Sequence, residues 1–143
     1  MKLGLLHTAF RMLVAPSLAA LALLAWAGSS EAQTYRFNIQ PYCDVVVLTL
    51  VPTGSPNVLS VVGYDDNCGD LPYSPIHGTA VMNPNGTVTI GYTTVWPYSV
   101  YQNTDVASQV SVEIPPRSNV GSWTDDDGNS GTFEFDLLDQ KSG

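Results

Sequence analysis

The chain has 143 residues, with 13 acidic against 5 basic side chains and 44% hydrophobic residues. That length holds one domain of ordinary size, and the apolar content is enough to build a core. The acidic excess excludes nucleic acid and anionic membrane surfaces as partners, because both are polyanions that select basic patches.

The first 32 residues read as an export signal rather than as part of the fold. Lys2 and Arg11 give a positive start, Leu13 to Ala27 is apolar apart from Pro16 and Ser17, and Ser30-Glu31-Ala32 sets small side chains at the two positions a signal peptidase reads. The run is expected to be helical, and it is shorter than the ~20 apolar residues of a spanning helix. Cleavage after Ala32 is therefore expected, leaving residues 33–143 as one secreted domain, extracellular or periplasmic, with no membrane attachment. This part retains three basic side chains, Arg36, Arg117 and Lys141, against twelve acids.

Cys43 and Cys68 are the only cysteines. In an exported chain such a pair is expected to be a disulfide. Two thiols with His77, the single histidine after residue 32, do not supply the usual four ligands of a zinc site.

Helical periodicity is nearly absent from the rest, whereas period-two alternation recurs throughout, so the domain is expected to be all-β. Tyr35 to Ile39 is a candidate first strand. Val45 to Val51 and Val58 to Tyr64 are apolar runs separated by Pro52, Gly54 and Pro56, a hairpin that would bring Cys43 and Cys68 to the same end. Asn83-Pro84-Asn85-Gly86 is a clear turn joining Ile76 to Met82 with Thr87 to Thr94, since Pro presets φ and Gly accepts the left-handed position. Val88, Ile90 and Tyr92 share one face of the second of these strands. In Val106 to Ile114, Val106, Val110, Val112 and Ile114 oppose Gln109, Ser111 and Glu113. A last hairpin joins Val120 to Thr124 with Thr132 to Leu137, whose Phe133, Phe135 and Leu137 are expected to face inward.

Seven or eight strands with short connections predict an antiparallel up-and-down β-barrel, because closure removes exposed edges. An open β-sandwich is the alternative. Gly63, Gly78, Gly91 and Gly121 fall in or at the start of strands, where glycine marks bulges or tight bends.

The segments Asn38-Ile39-Gln40-Pro41-Tyr42-Cys43, Gly63-Tyr64-Asp65-Asp66-Asn67-Cys68-Gly69, Asn83-Pro84-Asn85-Gly86, Gly121-Ser122-Trp123 and Gly128-Asn129-Ser130-Gly131-Thr132-Phe133 together resemble a family of small uncharacterised secreted bacterial β proteins. The resemblance covers most of residues 33–143 and implies no activity and no functional residue. The short Gly-x-Trp strand is also similar in architecture to avidin-like and lipocalin-like barrels, without an alignable biotin site.

No catalytic set emerges. Gly128-Asn129-Ser130-Gly131 is close to the Gly-Asp-Ser-Gly around a chymotrypsin-like nucleophile, but that chemistry needs a His base held by an Asp, and His77 has no acid nearby in sequence. The segment reads as a hairpin turn. Asp65, Asp66, Asp125 and Asp127 are candidate oxygen ligands for Ca²⁺, although no metal is favoured: Asp125, Asp127, Asn129 and Asp136 fit an EF-hand register while Ser130 holds its glycine position and a strand follows. Tyr92, Trp96, Tyr98 and Tyr101 are the candidate binding residues, aromatics able to stack on a ligand at a barrel mouth, with Trp123 read chiefly as core. A small binding module for a small ligand, glycan or protein is thus the leading expectation, ahead of a structural or envelope-associated protein and then a hydrolase. No cofactor is expected. A hydrolase would require an acid or His77 facing a concave pocket with a shifted pKa.

Overall fold

In a strand, alternate residues point to opposite faces, so one apolar parity per strand is enough to fill the inside of a closed sheet. A computed structural model describes residues 31–70, 72–96 and 106–138 and shows that closure. Strands β1 (Gln33–Gln40), β2 (Val45–Pro52), β3 (Val58–Asp65), β4 (Ser74–Met82), β5 (Val88–Trp96), β6 (Val106–Ile114), β7 (Val120–Asp125) and β8 (Ser130–Leu137) form one barrel in sequence order, each antiparallel to the next. The segment from Tyr35 to Ile39 lies within β1 and makes the closure: Phe37 sits opposite Val46 of β2 on one side and Phe135 of β8 on the other. The open sandwich is thereby set aside. Most of the expected signal segment, residues 1–30, lies outside the described residues, and among these no helix is long and apolar enough to cross a membrane.

The inside is filled unevenly. Toward the end carrying the β2–β3, β4–β5 and β6–β7 turns, Phe37, Leu48, Leu50, Val61, Ile90, Ile114, Phe133 and Phe135 are buried together. The Phe37 ring lies 5.3 Å from both Phe133 and Phe135, and such pairs contribute roughly 0.5–1.5 kcal/mol each beyond their buried area. Tyr35 joins this cluster and donates its hydroxyl to Gln33 Oε1 at 2.7 Å. Burial pushes that phenol up to about 12.

Two expectations are corrected here. Leu137 keeps the inward parity, opposite buried Tyr35, but is 38% exposed rather than part of the core, because it lies beyond the last β7–β8 rung, Val120 opposite Glu134, where no third strand covers it. Gly63 and Gly78 do not mark bulges, since the registers run through both without interruption. They are points of close approach instead: a Cβ on Gly78 would lie 2.7 Å from Tyr92 Cα. The turn at 83–86 forms as expected, with Gly86 at φ +83° and its N–H donating to the Asn83 carbonyl at 2.9 Å.

Candidate functional site: an acidic, aromatic barrel mouth

The opposite end of the barrel is assembled from the β1–β2, β3–β4 and β7–β8 connections and the adjoining ends of β5 and β6. Its geometry starts from the turn after β3. Asn67 organises this turn: its N–H donates to Asp65 Oδ1 at 2.9 Å, its Nδ2 to the Pro72 carbonyl at 2.8 Å, and its Oδ1 accepts from the Ser74 hydroxyl at 3.0 Å. Asp66 then ties the turn to β2, accepting from Val45 N–H at 2.8 Å through Oδ1 and donating its own N–H to the Val45 carbonyl at 3.0 Å. The Cys43–Cys68 disulfide fastens the β1–β2 connection to the same turn. These restraints gather Asp44, Asp65 and Asp66, whose nearest carboxylate oxygens all lie within 4.8 Å of one another.

Asp65 is only 5% exposed. Burial is the main force that lifts its carboxyl from 3.8 to about 6, reinforced by the negative charges of Asp44 and Asp66 and opposed by the Asn67 N–H. Asp44 is half-buried and is raised as well, by burial first and then by Asp66, against the Cys68 N–H. Burial and these two carboxylates, Asp65 before Asp44, also push the Tyr92 phenol up.

Above this acidic corner is a cavity of about 320 Å³, lined by Ile39, Tyr42, Asp44, Val46, Asp65, Tyr92, Thr94, Ser108, Val110, Trp123, Asp125, Asp127 and Asn129. Trp123 forms part of the wall and donates its indole N–H to the Gln40 carbonyl at 3.0 Å, while the more exposed Tyr42 ring lies 5.6 Å from it, tilted by 46°. On the far side Asp125 accepts from the Asn129 N–H at 2.7 Å and from Asn129 Nδ2 at 2.8 Å. Asp126 clips the β7–β8 turn to β6, accepting from the Ser108 hydroxyl at 2.9 Å and Gln109 N–H at 3.0 Å. Those donors, Gln109 first, hold its carboxyl below the usual range. Thr94 stands apart. It is 1% exposed, it lines the cavity, and its hydroxyl has no hydrogen-bond partner among the described residues.

Of the residues expected at the mouth, Tyr92 is there. Trp96 ends β5 opposite Val106, but its side chain, like Tyr98 and Tyr101, lies outside the described residues. The candidate calcium ligands of the two acidic turns stand on two sides of the mouth, Asp65 and Asp66 with Asp44 on one, Asp125 and Asp127 on the other. Asp44, Thr94 and Ser108 were not anticipated. Thr94 and Ser108 share the inward parity of Tyr92 and Val110, so alternation contained a signal, obscured by their polarity. His77 is excluded from this site, because it faces a shallow outer groove of about 460 Å³ with Thr79, Thr93, Gln109 and Thr124. Ser130, in the segment likened to a protease nucleophile, is an exposed residue of the β7–β8 hairpin.

No protein-family model matches the chain, and no curated protein or solved structure does either. Chemically, the mouth combines a surplus of oxygen acceptors with aromatic and aliphatic walls. Such a lining suits capture of a small molecule carrying both a donor-rich end and an apolar body.

Proposed function

We propose that this protein is an exported binding module that holds a small organic ligand in the mouth of its barrel. The carrying observation is the Thr94 hydroxyl, buried and unpartnered on the wall of the 320 Å³ cavity. Leaving such a group unsatisfied costs about 1–3 kcal/mol, and a ligand hydrogen bond would offset that cost. The uneven filling of the barrel supports the same reading over a purely structural role, since the packed half suffices as a core and leaves the mouth open. Export rests on the charged start, the apolar run and the small residues at 30 and 32, with the disulfide in keeping with an oxidising compartment. Intact-mass measurement of secreted material is expected to give a chain beginning at Gln33.

The binding test is a ¹H–¹⁵N NMR survey of the disulfide-intact protein against small organic compounds. Saturable shifts at Thr94, Tyr92 and the Trp123 indole are expected. Shifts confined to the outer groove around His77 would defeat the proposal.

A second reading is favoured by Asp65 alone. A carboxyl raised to about 6 beside another acid in a concave site is the pattern of a general acid in hydrolysis. Turnover of aryl glycosides that vanishes in Asp65→Asn would support it over simple binding.

A further inference from the structure

We infer that the ligand of this mouth is a small organic cation, a protonated amine on a flat apolar body, with its ammonium between Asp44 and Asp65 and its body against Tyr42, Tyr92 and Trp123. This deepens the small-ligand reading and rests on it.

Three observations converge. The first is charge without compensation: Asp44, Asp65, Asp125 and Asp127 line the cavity, and among its described lining residues there is no lysine, arginine or histidine. Buried charge is costly unless paired, so the partner that this corner lacks is a cation. The second is the wall. Three aromatic rings and Ile39, Val46 and Val110 surround the acids, and aromatic faces attract organic ammonium groups while apolar walls accept the body behind them. The third is the Thr94 hydroxyl, inward on β5 two residues beyond Tyr92, buried and unpartnered. It can accept an N–H from the same ligand.

A bare divalent ion fits less well. One carboxylate oxygen each of Asp65 and Asp66 is already committed to a main-chain N–H, that of Asn67 and of Val45 respectively, and the space is far larger than an ion needs. Hard cations also favour six or more oxygen ligands, whereas six of the thirteen lining residues are aromatic or aliphatic. A neutral sugar would leave the acidic corner uncompensated, and an anion would be repelled by it.

The test is an NMR titration of the full exported chain, disulfide intact, near neutral pH and at fixed ionic strength. The probes are phenethylamine, which is charged there, its uncharged counterpart 2-phenylethanol, phenylacetate, and Ca²⁺ alone. Phenethylamine is expected to shift Thr94, Tyr92 and the Trp123 indole and to bind at least about tenfold more tightly than 2-phenylethanol, with phenylacetate inert. In the double variant Asp44→Asn, Asp65→Asn its affinity is expected to fall to that of the alcohol, the spectrum otherwise confirming the fold. Equal affinity for amine and alcohol, or tighter binding of phenylacetate, would overturn the cation inference while leaving small-ligand binding intact. Shifts by none of the organic probes at these three residues would defeat both. Ca²⁺ binding at Asp44, Asp65 and Asp66 that displaces phenethylamine would replace the inference with a metal site.

Discussion

The indole N–H of Trp123 donates to the main-chain carbonyl of Gln40 across 3.0 Å and 83 residues of sequence. The bond ties β7 to the end of β1 across β8, and it needs the smallest residue between them: Gly131 has Gln40 and Trp123 as its nearest neighbours, with Trp123 Nε1 2.8 Å from where a Cβ would stand. Closure of the barrel at its mouth therefore depends on a missing side chain.

Gly131→Ala is accordingly expected to destabilise the domain by roughly 1–3 kcal/mol, as overpacking does. Gly91→Ala is the contrast, because a Cβ there meets nothing within 4 Å. Its effect is expected to be neutral or stabilising by at most about 1 kcal/mol, through a less flexible unfolded chain. Urea midpoints of the two variants check the difference.

Asp65 gives stability a pH dependence with a definite sign. Its carboxyl is raised from 3.8 to about 6 in the folded state, so the native form binds this proton more tightly than the unfolded form. The group therefore imposes no penalty below about pH 4, and stability falls as pH rises toward about 7, where both states are ionised. Asp44, raised in the same direction, adds to the slope. Asp126, held low by Gln109 and Ser108, acts oppositely and only below the ordinary carboxylate range. Asp65→Asn is expected to flatten the decline and raise neutral-pH stability by on the order of 1–3 kcal/mol, as read from denaturation curves across the range. A slope unchanged by the substitution would contradict the assignment.

Thr94→Val keeps the shape of the side chain and removes its unpartnered hydroxyl. The ligand-free domain is expected to gain about 1 kcal/mol, since a buried polar group without a partner is lost. The same change is expected to weaken amine binding. Stability rising while affinity falls would mark a residue retained for binding at the expense of stability, and calorimetry of melting and of titration reads both.

The disulfide closes a loop whose ends are 25 residues apart. Its removal in Cys43→Ser, Cys68→Ser is expected to cost about 3 kcal/mol by release of the unfolded chain. Because Cys43 neighbours Asp44 and Cys68 lies in the turn after Asp65, the variant is also expected to loosen the acidic corner and weaken phenethylamine more than 2-phenylethanol. A melting point equal to that of the native protein would refute the structural role.

Calcium is not expected to be needed for folding. Asp65, Asp66, Asp125 and Asp126 each already accept N–H donors of their own turns or of neighbouring strands. Thermal unfolding in excess EDTA and in Ca²⁺ at fixed ionic strength is expected to give the same midpoint. A specific ion present at a hundredfold excess over its dissociation constant would add about 2.7 kcal/mol, a shift of several degrees for a domain of this size.

The local features of this fold could be read from the chain itself. Alternation in Val88 to Thr94 and Val106 to Ile114 fixed which residues face inward, and Asn83-Pro84-Asn85-Gly86 located a hairpin, because side-chain parity and turn geometry depend on a few adjacent residues. The placement of Cys43 and Cys68 at one end followed from the intervening hairpin for the same reason. Non-local pairing decided the rest. Nothing near Phe37 in sequence reveals that it meets both Val46 and Phe135, and nothing near Asp44 reveals that it shares a cavity with Asp125 and Asp127 of the last hairpin. Thr94 shows the division most clearly: parity alone directs it inward, but whether inward means core or cavity depends on how far the large side chains of eight strands fill the barrel, and around Tyr92 and Trp123 they leave a cavity.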